Sequence, residues 1–345
     1  MTQPLQDLQA EAGAIFINNI PAHFGNDAAV MEQITVGKVG LCDRTHWGRI
    51  QMTGDDRLRF LHNQTTNDFN ILKSGQGCDT VFVTSTGRTI DLATAYVTED
   101  AVLLLVSPGY NQRLMEWMDR FIFFADKVEL QDITESTVAF SLLGEGLTDA
   151  LGMGAIAQQP YASHQLMAIG GVEVRVAVGS GLTTPGYTLI AAVNDAAQLW
   201  QTLAAAGAQP FGTQAWEELR IQQGRPAAGQ ELTDAVNPLE AGLWQTISLS
   251  KGCYIGQETI ARLHSYRGVK QQLWGIKMNA AAEVDSSITE GEEKIGKLTS
   301  CTQTATGHFG LAYIRTKAVT PGLKVTIGAV EGELVAVPFV THEYP

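Results

Sequence analysis

Several common features are missing from this 345-residue sequence, and each absence removes a class of function. No Lys or Arg stands before Lys38. A secretory leader needs a basic start and an organellar leader is rich in Arg, so neither is expected. No apolar run approaches the roughly 20 residues of a membrane-spanning helix. The four cysteines, Cys42, Cys78, Cys253 and Cys301, form no C-x-x-C pair. Their scatter gives no support to a complete four-thiolate zinc or iron–sulfur site within one chain. A chain of this size needs no disulfide framework, so a reducing compartment is expected. The seven histidines show no H-x-x-H-type spacing, and no metal site is expected. Basic residues are scarce, 23 against 36 acidic ones, for a formal charge of −13. Direct nucleic-acid binding needs a concentrated basic face and is not expected. Together these absences suggest a cytoplasmic protein with no membrane contact.

What is present is an ordinary globular composition, 45% hydrophobic and 17% charged, in a chain long enough for two or three domains. Two stretches of the first 210 residues follow one plan. Ile50–Thr53 reads as a strand, stops at Gly54, and leads into a helix capped by Asp55 that carries Leu58 and Leu61. Val138–Leu143 also reads as a strand, stops at Gly144, and leads into a helix carrying Leu147 and Leu151. Strand Val102–Val106, then a helix with Leu114, Met118, Phe121 and Ile122, completes the first unit. Strand Tyr187–Ala191, then a helix capped by Asn194 with Ala197, Trp200 and Leu203, completes the second. The apolar spacings are helical and the caps are of the expected kinds. An offset of about 90 residues is too long for a solenoid and implies a duplication: two α/β halves, near 40–130 and 131–220, about a pseudo-two-fold axis.

A further helix is expected over Thr213–Gln223, ended by Gly224 and Arg225-Pro226. Residues 224–258 then form a long, Gly- and Pro-containing loop. Its apolar residues Leu239, Leu243, Trp244, Ile247 and Leu249 argue for order. After a boundary near Arg267-Gly268, short strand candidates separated by turn residues suggest a small antiparallel barrel over 268–345. They are Leu273–Met278, Lys297–Ser300, Phe309–Ile314, Lys324–Ile327 and Leu334–Val337.

The string Lys251-Gly252-Cys253-Tyr254-Ile255-Gly256-Gln257-Glu258 carries the most chemistry. Its glycines permit turns and close approach. A cation near a thiol, here Lys251 or Arg262, favours the thiolate, the form that attacks electrophiles or binds metals. Lone cysteines also serve as small buried apolar residues, and the string by itself leaves both roles open. Residues 217–270 balance Arg220, Arg225, Lys251, Arg262, Arg267 and Lys270 against six carboxylates, in contrast to the acidic remainder. Such a stretch suits an anionic small molecule, or it is a set of solvated charges.

The K-G-C-Y-I-G-Q-E string, with N-P-L-E-A-G-L at 237–243 and G-R-P-A-A-G-Q-E-L at 224–232, closely resembles the YgfZ-type folate-binding proteins. These are relatives of the glycine-cleavage T-protein, an aminomethyltransferase. The likeness extends to Gly54-Asp55-Asp56-Arg57, to Gln64-Thr65-Thr66-Asn67-Asp68, to Thr86-Gly87-Arg88 with Asp91, and to Gly296-Lys297-Leu298-Thr299-Ser300. The resemblance implies an α+β fold with two pseudo-two-fold-related halves around a folate channel, plus the C-terminal antiparallel β-barrel. Residues 1–267 would form the folate-binding region. It further implies tetrahydrofolate as ligand and a role in assembling or repairing iron–sulfur clusters in client proteins. Cys253 would be the reactive residue, with Asn67, Asp91, Gln222, Glu240, Lys251, Tyr254 and Arg262 around the cofactor.

Departures from the T-protein pattern are informative. Ile90-Asp91 stands where T-proteins resemble one another in an acidic pair, and isoleucine cannot hold or move a proton. Gln222 replaces a helix carboxylate, so the pterin's amino-pyrimidine edge must be met differently. Arg262 and Arg267 could hold the folate glutamate carboxylates or stand free in solvent. Asn67 could line the site or make an ordinary turn, Asp91 could be a structural carboxylate, and Glu240 could bond a loop amide. The alternative activity is a folate-dependent one-carbon transferase acting on a small methylated amine; a folate-using RNA-modification factor is a third.

Overall fold

Short apolar runs between turn residues set the element lengths. A computed structural model describes residues 2–344. The chain opens with α1 (Gln3–Glu11), the hairpin β1 (Ile15–Ile17) and β2 (Ile20–His23), and α2 (Asp27–Thr35). Then come β3 (Gly40–Asp43), β4 (Gly48–Thr53), α3 (Arg57–Gln64), β5 (Gly77–Val83), β6 (Thr89–Val97), β7 (Ala101–Val106), α4 (Asn111–Asp119) and β8 (Glu129–Asp132). A matching run follows: β9 (Thr137–Leu143), α5 (Gly154–Ala157), β10 (His164–Ile169), β11 (Val172–Val178), β12 (Gly186–Ala192), α6 (Ala196–Ala205) and β13 (Gln209–Phe211). The chain continues with α7 (Thr213–Gln223) and α8 (Gln257–Ser265). Its last strands are β14 (Gln271–Met278), β15 (Ser287–Glu290), β16 (Glu293–Thr304), β17 (Gly307–Arg315), β18 (Lys324–Ile327) and β19 (Val330–Val335).

The duplication is written in the strand order. One sheet runs β5-β6-β7-β4-β8 and the other β10-β11-β12-β9-β3-β13. With β3 set aside, the two orders are the same. Both final strands run antiparallel to the first strand of their repeat: β8 pairs β4 antiparallel, and β13 lies parallel to β3, itself antiparallel to β9. The last six strands close an antiparallel barrel in the order β14-β17-β16-β15-β18-β19. The fold is therefore α+β, with two halves of one topology and a barrel.

Two units divide the chain. The first comprises the chain up to Phe60, then Asn70–Cys78 and Ala93–Trp216. Its core alternates along the strands, as half-buried pleats require. Val138, Phe140 and Leu142 of β9 meet Val174 and Val176 of β11, and α6 lays Leu199, Trp200 and Leu203 onto them. Two buried arginines stiffen this unit. Arg44 lies 3.7 Å over the Trp47 ring and 4.6 Å from that of Trp216, and donates to Ser141 Oγ at 3.0 Å. Arg49 donates to the carbonyls of Thr45, Trp47, Thr134 and Thr137, and burial lowers its pKa to about 10.

The second unit is discontinuous: Leu61–Phe69, Asp79–Leu92 and the chain from Glu217 onward. Val81, Val83 and Leu92 from the early segments join Ile221, Leu239, Leu243, Ile260, Leu273 and Val337 in one core. The barrel has its own, built on Ile276, Ile288, Leu298, Ile314, Ile327 and Leu334.

Several local expectations need correction. The segment holding Leu147 and Leu151 is a set of turns, with only Gly154–Ala157 helical. Gly144, Gly146, Gly152 and Gly154 crowd it, and glycine gives a helix little reason to form. Asn194 does not cap α6; a 3₁₀ turn over Val193–Asp195 leads in, without a side-chain cap. Phe121 and Ile122 lie beyond the end of α4. Leu249 is exposed, and β15 was not anticipated. The helix Thr213–Gln223 is found with the bounds read from sequence.

His164 gives the first unit a pH dependence. Only 3% exposed, it takes the Arg175 Nη1 proton on its Nδ1 at 2.9 Å, which requires a neutral ring. Burial, then the Arg175 charge, lowers its pKa to about 4. Unfolded, the ring titrates near 6.5 and so binds more protons than the folded form between about pH 4 and 6.5. Stability from this group is present above 6.5 and lost as pH falls through that window. His164→Gln should reduce the slope of urea-unfolding stability against pH there by up to about 1.4 kcal/mol per pH unit. An unchanged slope would show that His164 is not a source of acid lability.

Candidate functional site

All the sequence-predicted site residues lie in the second unit, carried by two loops, the 237–243 turn that holds Glu240, helices α7 and α8, and strand β6. The first loop, 61–69, is the last turn of α3 with the segment that follows it; the second, 244–256, contains the motif cysteine. Lys251 binds them together. Its Nζ donates to the carbonyls of His62 (2.5 Å), Thr65 (2.8 Å) and Asn67 (2.6 Å), and lies 4.6 Å from the Tyr254 ring centroid. An ammonium has three donors and no acceptor, so three carbonyls satisfy it. Backbone bonds reinforce the contact: Ser248 N–H to Thr66 O at 3.0 Å and Ile255 N–H to Asn63 O at 2.9 Å. Lys251 is buried and committed to this joint, a different task from the thiol-facing cation expected of it.

Asn67 is equally occupied. Its Nδ2 donates to Asp79 O at 2.8 Å and its Oδ1 accepts the Asp68 N–H at 2.8 Å, which shapes the loop. Tyr254 stacks its half-buried ring near Lys251, and burial raises its hydroxyl to about 12, so it remains a neutral donor. Cys253 itself is exposed. Of the other thiols, Cys42 is buried, and burial pushes it far above the usual range, while Cys78 and Cys301 are partly covered.

Gly256 explains the second glycine of the motif. It has φ +79° and precedes α8; a Cβ there would stand 2.6 Å from Thr84 O and 2.9 Å from Gly87 Cα. The Thr84–Arg88 turn can pack on the motif only because this position lacks a side chain.

The remaining residues are less closely gathered. Gln222 on α7 donates Nε2 to Glu218 Oε1 at 2.7 Å, one helical turn back. Burial raises the Glu218 carboxyl and the Gln222 amide partly offsets this. Glu240 is buried; its Oε2 accepts the Asn237 N–H at 3.1 Å and lies 3.7 Å from Arg88 Nη1. Burial raises it too, against the lowering effects of Asn237 and Arg88. Asp91 is fully buried and accepts the Leu92 N–H at 2.9 Å, whereas Arg262 stands exposed in the last turn of α8.

Three contacts near these residues were not read from the sequence. Glu218 sits four residues before Gln222, a helical spacing that could have drawn attention to it. Arg220 is buried and binds Glu231 (2.9 Å), Glu217 (2.7 Å), Ser300 (3.0 Å) and Gln230, tying α7, the 224–232 string and β16 together. His62 pairs with Asp68, Nδ1 to Oδ1 at 2.9 Å. No periodicity marks that pair.

The duplicated sheets and the barrel define a protein of the glycine-cleavage T-protein architecture. Over 100% of this chain and 99% of the other, the structure superposes on the glycine cleavage system aminomethyltransferase T from Bartonella henselae with a TM-score of 0.84, at 18% identity. Residues 1–251 match the GCVT N-terminal domain, and the chain belongs to that family. It is 45% identical to "Putative transferase At1g60990, chloroplastic" of Arabidopsis thaliana, over 99% of this chain and 80% of that protein. It is 29% identical to an aminomethyltransferase of Geobacillus kaustophilus, over 97% of each. No helix among the described residues is long and apolar enough to cross a membrane.

The Lys251 joint is testable. Lys251→Ala strips a charged donor from three carbonyls and should cost about 3 kcal/mol by urea unfolding. It should also speed amide exchange over residues 62–67. Loss of stability without faster exchange there would mean the joint does not order the loop. Gly256→Ala should cost at least as much, because backbone must move to admit the methyl.

Proposed function

We propose that this protein binds tetrahydrofolate and supports the assembly or repair of iron–sulfur clusters in client enzymes through Cys253. The observation that carries the reading is an exposed thiol on a loop whose base is fixed by a buried ammonium. That arrangement suits a group meant to meet something outside its own core. Its likeness to the YgfZ-type motif supports the cluster role. Among the described residues no group of three or more His, Cys, Asp or Glu could hold a metal ion. Cys253 would therefore offer one thiolate to iron whose other ligands belong to the client. Within this reading residues 1–267 are the folate-binding region and 268–345 the barrel domain.

The acceptor chemistry of α7 fits a pterin. Gln222 spends its amide N–H on Glu218 and keeps Oε1 as an acceptor; Glu218 keeps one carboxylate oxygen. Two acceptors one helical turn apart suit the donor-rich amino-pyrimidine edge. The carboxylate that T-proteins carry at the Gln222 position is thus replaced by one a turn earlier. Arg262, exposed, is suited to the glutamate tail. Bound folate would supply a one-carbon acceptor or donor.

A second reading is one-carbon transfer to or from a small methylated amine, favoured by the names of the relatives. Ile90, buried and unable to move a proton, weighs against it.

Cys253→Ser separates the two. Serine is nearly isosteric but stays protonated at neutral pH and is a poor ligand for soft metals. The variant should keep its melting temperature and its calorimetric affinity for tetrahydrofolate, and fail to restore iron–sulfur enzyme activity in cells lacking the protein. Full rescue would end the cysteine-based reading. Absence of folate binding by folded protein at millimolar ligand would end the folate part.

A further inference from the structure

The geometry points to His62 and Asp68 as a proton-accepting pair for the Cys253 thiol. This deepens the reading of Cys253 as the reactive group and rests on it. His62 is buried, 7% exposed, at the end of the loop that the motif grips. Its Nδ1 lies 2.9 Å from Asp68 Oδ1. An ionised carboxylate can only accept, so in the neutral ring the shared proton sits on Nδ1 and Nε2 carries a lone pair. That lone pair has no hydrogen-bond partner among the described residues. Its place is marked by the motif glycine: outside its own chain neighbours, a Cβ built on Gly252 would have His62 Nε2 nearest to it, 3.8 Å away.

The unpartnered base thus faces the residue immediately before Cys253, across a position that carries no side chain. Cys253 is exposed, so its thiol can rotate about χ1. Among the described residues, the charged groups bonded to His62 are Asp68, on its ring, and Lys251, on its carbonyl; Cys253 follows the glycine beside Nε2. Lys251 holds the His62 carbonyl, which fixes the ring's backbone against the motif. The step is a proton transfer. Sγ–H breaks, Nε2–H forms, sulfur keeps the electron pair, and Asp68 stabilises the imidazolium. The resulting thiolate is matched to a soft electrophile. Toward iodoacetamide the S–C bond forms as the C–I bond breaks and iodide leaves.

The test is cysteine-resolved alkylation of the full chain by iodoacetamide, with Cys301 as internal reference. At pH 7 Cys253 should react about tenfold faster in the unmodified protein than in His62→Gln, with Asp68→Asn between them. At pH 9.5, where thiols ionise unaided, the three rates should converge. Equal rates at pH 7, or an equal slowing at both pH values, would overturn the pairing; the latter marks a change of access only. Should His62→Gln lower the melting temperature, Gly252→Val decides. It covers Nε2 from the motif side and should reproduce the slowing at pH 7 alone. A failed pairing leaves the Cys253→Ser rescue result untouched, whereas rescue by Cys253→Ser removes the cysteine reading even if His62 does accelerate alkylation.

Discussion

One buried ammonium organises the candidate site of this molecule. Taking a charge out of water is costly, and an isolated lysine would lose its proton instead. Three convergent carbonyls at 2.5–2.8 Å let Lys251 remain charged, and in return the 62–67 loop gains a fixed shape. Everything placed around the thiol depends on that exchange. Asn67 holds its turn because its carbonyl is pinned, and the Tyr254 ring is half-covered beside the same charge. The string around Cys253 thus divides into an anchor, an open position and an exposed thiol. Lys251, Gly252 and Cys253 are those three, in order.

A second buried cation does comparable work farther along. Arg220 gathers Glu217, Gln230, Glu231 and Ser300 and so joins α7 to the barrel strand β16 through the 224–232 string. Buried ion pairs of this kind add little net stability but are strongly destabilising when broken from one side. Their use here is geometric. They hold α7, which presents Glu218 and Gln222, at a set register to the barrel. In both places a cation meets fixed acceptors, and irregular backbone gains the definition that a strand ladder would give elsewhere.

Much of the fold was legible because it obeys period rules. Val138–Leu143 and Ile50–Thr53 read as strands from apolar runs that stop at glycine, and α7 was bounded by Gly224 and Pro226. The repeat could be read from two such runs, and the family motif supplied the barrel's setting. What could not be read is equally physical. Leu147 and Leu151 have helical spacing, yet glycines around them leave turns. At the site, Cys253 and Lys251 were visible as residue types, but the task of Lys251 was not. Its partners are backbone carbonyls 184 to 189 positions away, and carbonyls carry no sequence signature. His62 and Asp68 fared likewise. A six-residue spacing across the end of a helix matches no standard period, so only the folded loop reveals the pair.

The discontinuity of the second unit bears on the order in which the molecule can be made. Leu61–Phe69 and Asp79–Leu92 leave the ribosome early, while the residues that cover them begin only at Glu217. Until then Val81, Val83 and Leu92 have no core to enter, and the carbonyls of His62, Thr65 and Asn67 have no cation to receive. The first unit, complete by Trp216, meets no such delay. Contacts spanning this much sequence close slowly, and apolar strands left open in the interval invite aggregation. The Lys251 joint consequently closes only after the chain has passed residue 251, and nascent chains paused before it would leave the 62–67 carbonyls without their cation.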